Sequence, residues 1–190
     1  MNNLFPIFIK LEQMHILIVG GGNVGLEKLE AVLKNSPKTL ITLVAPLVKD
    51  EIFELAKTHN IRIIQRAYHP DDLHSKDLVI AGTDAPEVNA QVHSDGRAKK
   101  LLVNVADTPD LCDFYLSSVV KKGDLKIAIS TNGKSPTFAK RFREVLEDIL
   151  PESIQETLDN LKVLRDKLKG DFTYKVDKLN EITNVMKKED

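Results

Sequence analysis

The chain has 190 residues, with 42% hydrophobic and 29% charged side chains, the composition of an ordinary folded protein. Lys and Arg number 27 against 28 Asp and Glu, and a net charge of -1 gives no global attraction to nucleic acid or to a membrane surface. One cysteine, Cys112, excludes an internal disulfide and any cysteine-rich metal site, which fits a reducing compartment.

The N-terminal stretch "MNNLFPIFIKLEQ" lacks the basic start, long apolar run and small-residue cleavage site of a secretory signal. No segment approaches the roughly 18 apolar residues of a membrane span. The expectation is a soluble, cytoplasmic protein.

The first hundred residues alternate strand-like and helix-like segments. "ILIV" (Ile16 to Val19) reads as a buried strand, and a helix follows from Asn23 to Asn35 with Val24, Leu26, Leu29 and Leu33 near one face. "LITLV" (Leu40 to Val44) is a second strand. Helical spacing predicts a helix over Leu47 to Asn60. "IRII" (Ile61 to Ile64) and "DLVIAG" (Asp77 to Gly82) are the third and fourth strands, Pro86 to Lys100 a helix, and "LLVNVA" (Leu101 to Ala106) the fifth strand. Apolar runs separated by helices predict an α/β fold, a doubly wound parallel sheet whose ligand crevice lies beyond the C-terminal strand ends.

After Asp107 the pattern changes. Phe114 to Ser130 reads as a hairpin turning at Lys-Gly-Asp. Ser135-Pro136 starts a helix with a stripe of Phe138, Phe142, Val145, Leu146 and Ile149. Pro151 marks another start, with Ile154, Leu158, Leu161, Leu164 and Leu168. Gly170 precedes a last helix carrying Val176, Leu179, Ile182 and Met186. A hairpin with a few amphipathic helices is a thin unit, expected to bury its apolar faces against the first domain or a second copy of the chain.

Four stretches have the residue types for chemistry. In "HILIVGGGNVGLEK", Gly20, Gly22 and Gly25 spell G-x-G-x-x-G between a strand and a helix, the Rossmann-like dinucleotide fingerprint. The acid that usually holds the ribose, roughly 20 residues on, is missing from "LITLVAP". In "AGTDAPEVN", Thr83 and Asp84 either face a ligand in the crevice or cap the following helix. In "NVADTPDLCDFY", Asp107 stands at the crevice edge and can act as a general base or as turn chemistry, with Asp110 and Asp113 nearby. In "STNGKSPTFAKRFR", Thr131, Asn132, Lys134 and Ser135 precede a helix N-terminus, which suits an anionic substrate or an ordinary cap. The five histidines show no metal-ligand spacing, and no metal ligands are assigned.

Together and in this order, "FPIFIKLE", "ILIVGGGNVGLEK", "LVIAGTDAPEVN", "LVNVADTPDLCDFYLSS" and "IAISTNGKSPTFAKRFRE" resemble the precorrin-2 dehydrogenase family. That family includes the bifunctional sirohydrochlorin ferrochelatases and the N-terminal module of siroheme synthase. The resemblance covers about Phe5 to Leu150. It implies a Rossmann-like NAD-binding domain over residues 1–112, a dimerisation hairpin and helix over 113–150, and a C-terminal helical region over 151–190. It also implies NAD-dependent oxidation of precorrin-2 to sirohydrochlorin, with iron insertion in some members, by a homodimer without nucleic-acid or membrane partners.

By motif, Gly20, Gly22, Asn23 and Val24 match the phosphate loop, Pro46 and Leu47 the adenosine end, and Thr83 and Asp84 the fourth-strand loop. Asp107 matches the family's essential aspartate, and Thr131 a hydroxyl at the tetrapyrrole site. Two departures stand out. Leu116-Ser117-Ser118 lies where many members carry a proline, and Gly25 where alanine is common. A nonenzymatic dinucleotide-sensing dimer, or the same fold working mainly as an iron chelatase, are the competing readings.

Overall fold

The computed structural model describes residues 2–184. The described residues divide into two compact units, 3–116 and 117–184.

The first unit is a five-stranded parallel sheet in the order β3-β2-β1-β4-β5. Its strands are β1 (His15–Val19), β2 (Leu40–Val44), β3 (Ile61–Ile64), β4 (Leu78–Ala81) and β5 (Leu102–Val105), joined through helices α1 (Asn23–Asn35), α2 (Asp50–Ala56) and α3 (Pro86–Ala98). β1 lies at the centre, in register with both β2 and β4: Val19 pairs with Val44 on one side and Ala81 on the other.

The period of two explains the unbroken apolar runs. Ile16 and Ile18 point to the face that packs on Leu29, Val32 and Leu33 of α1 and Ile52 of α2. Leu17 and Val19 point to the other face, with Val92 of α3 and Leu73. Both faces are covered, so polar alternation has no place in this strand. The crossover from β3 to β4 runs through a short 3-10 turn, Pro70–Leu73, which Asp72 anchors. The nearly buried Asp72 carboxylate takes two bonds from Arg66 and one from the His69 N–H, so the charge removed from water is matched.

Element ends shift by one or two residues at β1, β4, α3 and β5, and by more at α2 and at the hairpin. α2 begins at Asp50 rather than at Leu47. The Lys49 N–H bonds the Gly21 carbonyl at 3.0 Å, which ties the preceding segment to the glycine loop and delays the helix. Its other end stops at Ala56, where the Thr58 and His59 N–H groups turn back to Leu55 O. The hairpin begins at Ser118 rather than at Phe114. The Asn104 amide bonds Phe114 O at 2.8 Å, and the Phe114 ring packs on the first core, which holds this residue in the parallel-sheet unit.

The second unit holds the antiparallel pair β6 (Ser118–Lys122) and β7 (Leu125–Ile129), then helices α4 (Pro136–Ile149), α5 (Ile154–Lys167) and α6 (Phe172–Thr183). Lys122 pairs with Leu125, leaving Gly123 and Asp124 as a two-residue loop, with Gly123 at φ 57°. Gln155 of α5 clasps that loop, accepting from the Asp124 N–H at 2.7 Å and donating to its carboxylate at 3.1 Å. The α4 stripe is largely uncovered: Phe138, Phe142, Val145 and Ile149 are all exposed, and the two phenylalanine rings stack at 5.8 Å. Met186 lies outside the described residues.

Candidate functional site

A cavity of about 650 Å³ opens at the C-terminal ends of β1, β2 and β4. Every residue assigned from sequence to the dinucleotide lines it: Gly20, Gly22, Asn23, Val24, Pro46, Leu47, Thr83 and Asp84. Its position matches the rule for doubly wound sheets, in which the strand order reverses between β1 and β4 and leaves a crevice there.

Its floor is built from close backbone packing. Gly20 sits at φ 124°, and a Cβ there would lie 2.3 Å from the Gly82 carbonyl oxygen. A Cβ on Gly25 would lie 2.2 Å from Gly20 O, so α1 approaches the turn more closely than an alanine allows. Gly22 is the opposite case. A Cβ there would meet nothing within 4 Å. The first two glycines named are therefore spent on the fold, while Gly22 leaves open space above the turn.

The N-terminus of α1 faces the same space. Its capping position is Gly22, with no side-chain hydrogen bond, and its first turn carries no acid. The N–H groups at this end have neither an intrahelical acceptor nor a side-chain cap, and the helix dipole adds a partial positive charge. A pyrophosphate fits these donors and this open glycine, so the residues suit a dinucleotide.

Thr83 does not cap α3. The capping residue is Ala85, without a side-chain bond. The Thr83 hydroxyl instead accepts the Ala85 N–H at 3.2 Å and donates to Asn89 Oδ1 at 2.8 Å, while the Asn89 amide returns a bond to Thr83 O at 3.0 Å. This closed network around the buried Asn89 fixes the far rim and leaves the exposed Asp84 at its lip.

The three aspartates after β5 separate into different roles. Asp113 is structural: its carboxylate accepts the Val103 N–H at 3.0 Å and Arg97 at 2.6 Å. Asp110 is exposed within the 3-10 turn Pro109–Leu111. Asp107 is exposed and sits at φ 58°, just past the Ala106 N–H bond to Ala81 O at 2.8 Å. That bond places Asp107 beside the end of β4, next to the Thr83 rim, although it does not line the cavity itself. Among the described residues nothing bonds its carboxylate. Cys112 is held by bonds from its thiol to Val105 O and Thr108 O, and burial pushes that thiol up, away from the reactive thiolate.

Thr131, Asn132, Lys134 and Ser135 belong to the second unit. Ser135 caps α4, accepting the Phe138 N–H at 3.1 Å, and Thr131 Oγ1 accepts the Ser135 N–H at 3.2 Å. Asn132 and Gly133 take positive φ, which bends the loop tightly before the helix. Among the described residues no group of three or more His, Cys, Asp or Glu side chains could hold a metal ion. No described helix is long and apolar enough to cross a membrane.

Sequence reasoning missed Lys49 and Tyr68, which also line the cavity. Lys49 reaches it because its segment folds back on the glycine loop, and its ammonium bonds Asn23 Oδ1 at 2.9 Å. Tyr68 comes from the β3–β4 crossover, and its hydroxyl donates to Asp95 of α3 at 3.0 Å. Burial first, then that carboxylate, raise the phenol well above its ordinary value, so it stays protonated. Neither residue sits in a recognisable motif; only the absence of an acid after β2 hinted that another side chain serves there.

Comparison with known proteins matches residues 7–118 to an NAD(P)-binding family and residues 122–149 to the sirohaem biosynthesis protein central family. Siroheme synthase of Psychrobacter sp. strain PRwf-1 is 38% identical over 168 residues, 88% of this chain and 34% of that protein. Siroheme synthase of Pseudoalteromonas translucida strain TAC 125 is 38% identical over 173 residues, 91% of this chain and 36% of that protein. The chain thus spans about a third of the length of the curated relatives it matches. Among solved structures, SirC, a precorrin-2 dehydrogenase, superposes with a TM-score of 0.73 at 27% identity, covering 94% of this chain and 89% of that one. The first unit accordingly carries both the sequence and the geometry of a dinucleotide domain, and the chain belongs to the NAD(P)-binding family, in the branch that continues into the sirohaem biosynthesis central segment.

Proposed function

We propose that this chain is an NAD-dependent precorrin-2 dehydrogenase that forms sirohydrochlorin on the route to siroheme. One observation carries the reading: an uncapped α1 N-terminus above the open face of Gly22, in a cavity whose far rim adjoins Asp107. The likeness to SirC, over nearly the full length of both chains, supports it.

NAD supplies the hydride acceptor when bound. Gly22, Asn23 and Val24 hold its pyrophosphate through backbone N–H groups. Pro46 and Leu47 pack against the adenosine end, and Thr83 and Asp84 orient the opposite end. Asp107 takes the proton that leaves the substrate as the hydride departs, and its exposed carboxylate, bonded by nothing among the described residues, is placed to receive it. Thr131, Asn132, Lys134 and Ser135 serve the carboxylates of the macrocycle, with Lys134 contributing charge and the loop contributing donors. The uncovered α4 stripe supports a homodimer, because Phe138, Phe142, Val145 and Ile149 need an apolar partner. The assembly works in the cytoplasm.

The test mixes purified protein with precorrin-2 and NAD and follows the absorption spectrum. Appearance of sirohydrochlorin with stoichiometric NADH supports the reading; unchanged precorrin-2 with correctly folded protein overturns it.

A further inference from the structure

We propose that Lys49 makes this site accept a dinucleotide with a phosphate on the adenosine ribose, so that NADP binds alongside NAD. The inference rests on the reading of the cavity as a dinucleotide site. In doubly wound folds the second strand's end decides this choice. An acid there bonds the ribose hydroxyls and repels a 2′-phosphate, whereas a nearby cation accommodates it.

Here β2 ends at Val44 and runs through Ala45, Pro46, Leu47 and Val48 without an ionisable group. The first charge is Lys49. Two contacts fold it back over the glycine turn rather than out to solvent: its N–H bonds Gly21 O at 3.0 Å, and its ammonium bonds Asn23 Oδ1 at 2.9 Å. It is thereby brought to the wall of the cavity.

The charges of the lining are ordered. Lys49 and Asp84 are its two charged residues. Lys49 stands on the β2 side of β1 and Asp84 beyond β4, on the opposite side. The cation therefore lies on the β2 side, over the glycine turn and on the route toward the adenosine end, and the carboxylate lies on the opposite side.

Glu51 is the competing acid. It pairs with the Lys49 ammonium at 3.1 Å but does not line the cavity. The pair is partly exposed, with side-chain exposures of 35% and 57%, so it is weak and yields to a dianionic phosphate. An ammonium has three donors, and Asn23 and Glu51 occupy two.

Isothermal titration of the full chain with NAD and with NADP tests this, comparing the wild type with Lys49→Gln, Lys49→Arg and Glu51→Gln, each checked for folding by circular dichroism. Wild-type affinities for the two dinucleotides are expected within about tenfold of each other, and Lys49→Gln is expected to raise the NADP-to-NAD Kd ratio about tenfold. Lys49→Arg keeps the ratio low, and Glu51→Gln lowers it further by freeing the ammonium. Wild-type discrimination against NADP beyond about a hundredfold overturns the inference. So does an equal loss of both affinities in Lys49→Gln, which would assign the ammonium to the shared pyrophosphate. If neither dinucleotide binds, the reading of the cavity itself fails and the inference falls with it.

Discussion

Asp113 and Val103 bond each other twice: the Asp113 carboxylate accepts the Val103 N–H at 3.0 Å, and the Asp113 N–H donates to Val103 O at 2.7 Å. On the outer edge of β5, Asp113 supplies the pairing that a further strand would otherwise give. This closes the sheet edge and returns the chain beside the strand it has just left. Asp113→Ala removes the acceptor of the Val103 N–H and costs about 1–3 kcal/mol. Urea denaturation measures it, and an unchanged midpoint would contradict the assignment.

Asp107→Ala separates function from fold at the neighbouring aspartate. The side chain is exposed and bonds nothing among the described residues, so the melting temperature stays close to that of the wild type. Formation of sirohydrochlorin falls by a factor on the order of 10²–10⁴ while NAD still binds. Normal turnover in this variant would remove Asp107 from the chemistry.

The glycines make a paired test. Gly20→Ala forces a Cβ against Gly82 O at a φ of 124° and destabilises the domain by about 2 kcal/mol or more. Gly22→Val adds its side chain to open space, so the domain folds normally, yet it occupies the place of the pyrophosphate. Calorimetric titration of Gly22→Val is expected to show NAD affinity reduced at least about tenfold. Equal stability losses in the two variants would refute the division of labour.

Asp72 sets part of the acid sensitivity. Burial alone would raise its carboxyl, but the Arg66 bond, the His69 N–H and the attraction of Arg66 outweigh burial and hold it below the usual carboxylate range. A depressed carboxylate stabilises the fold above its unfolded value, near pH 4, and that contribution is lost as pH falls through the lower folded value. Melting temperatures recorded from pH 6 down to pH 2 should therefore fall more shallowly in Asp72→Asn than in the wild type. Parallel curves would exclude this source.

Self-association tests the apolar stripe of α4. Val145→Glu places a charge among Phe142 and Ile149 on the exposed face, and sedimentation velocity is expected to show a shift from dimer toward monomer. An unchanged distribution would place the interface elsewhere.

Much of the first unit was legible from local pattern alone. β2 and β3 and helix α1 occupy the residues that their apolar periods predict, because a strand buried on both faces must be apolar throughout and a helix must present a stripe. The glycine spelling located the turn for the same reason: backbones that approach within a Cβ radius leave no other residue at Gly20 and Gly25. Local pattern could not start α2 at Asp50, since that start depends on the Lys49 N–H finding Gly21 O across 28 residues. Nor could it sort Asp107, Asp110 and Asp113, which are one residue type in one short stretch. Only the return of the chain along β5 gives Asp113 a strand to pair and leaves the Asp107 carboxylate exposed. Lys49 and Tyr68 reached the cavity by the same kind of long-range route, through crossovers whose path the packing of side chains on both faces of the sheet decides. Sequence by itself thus determined the layers and the glycine turn, which are local consequences of burial and backbone sterics. Tertiary structure decided which charged groups face the cavity, because that depends on contacts between residues far apart in the chain.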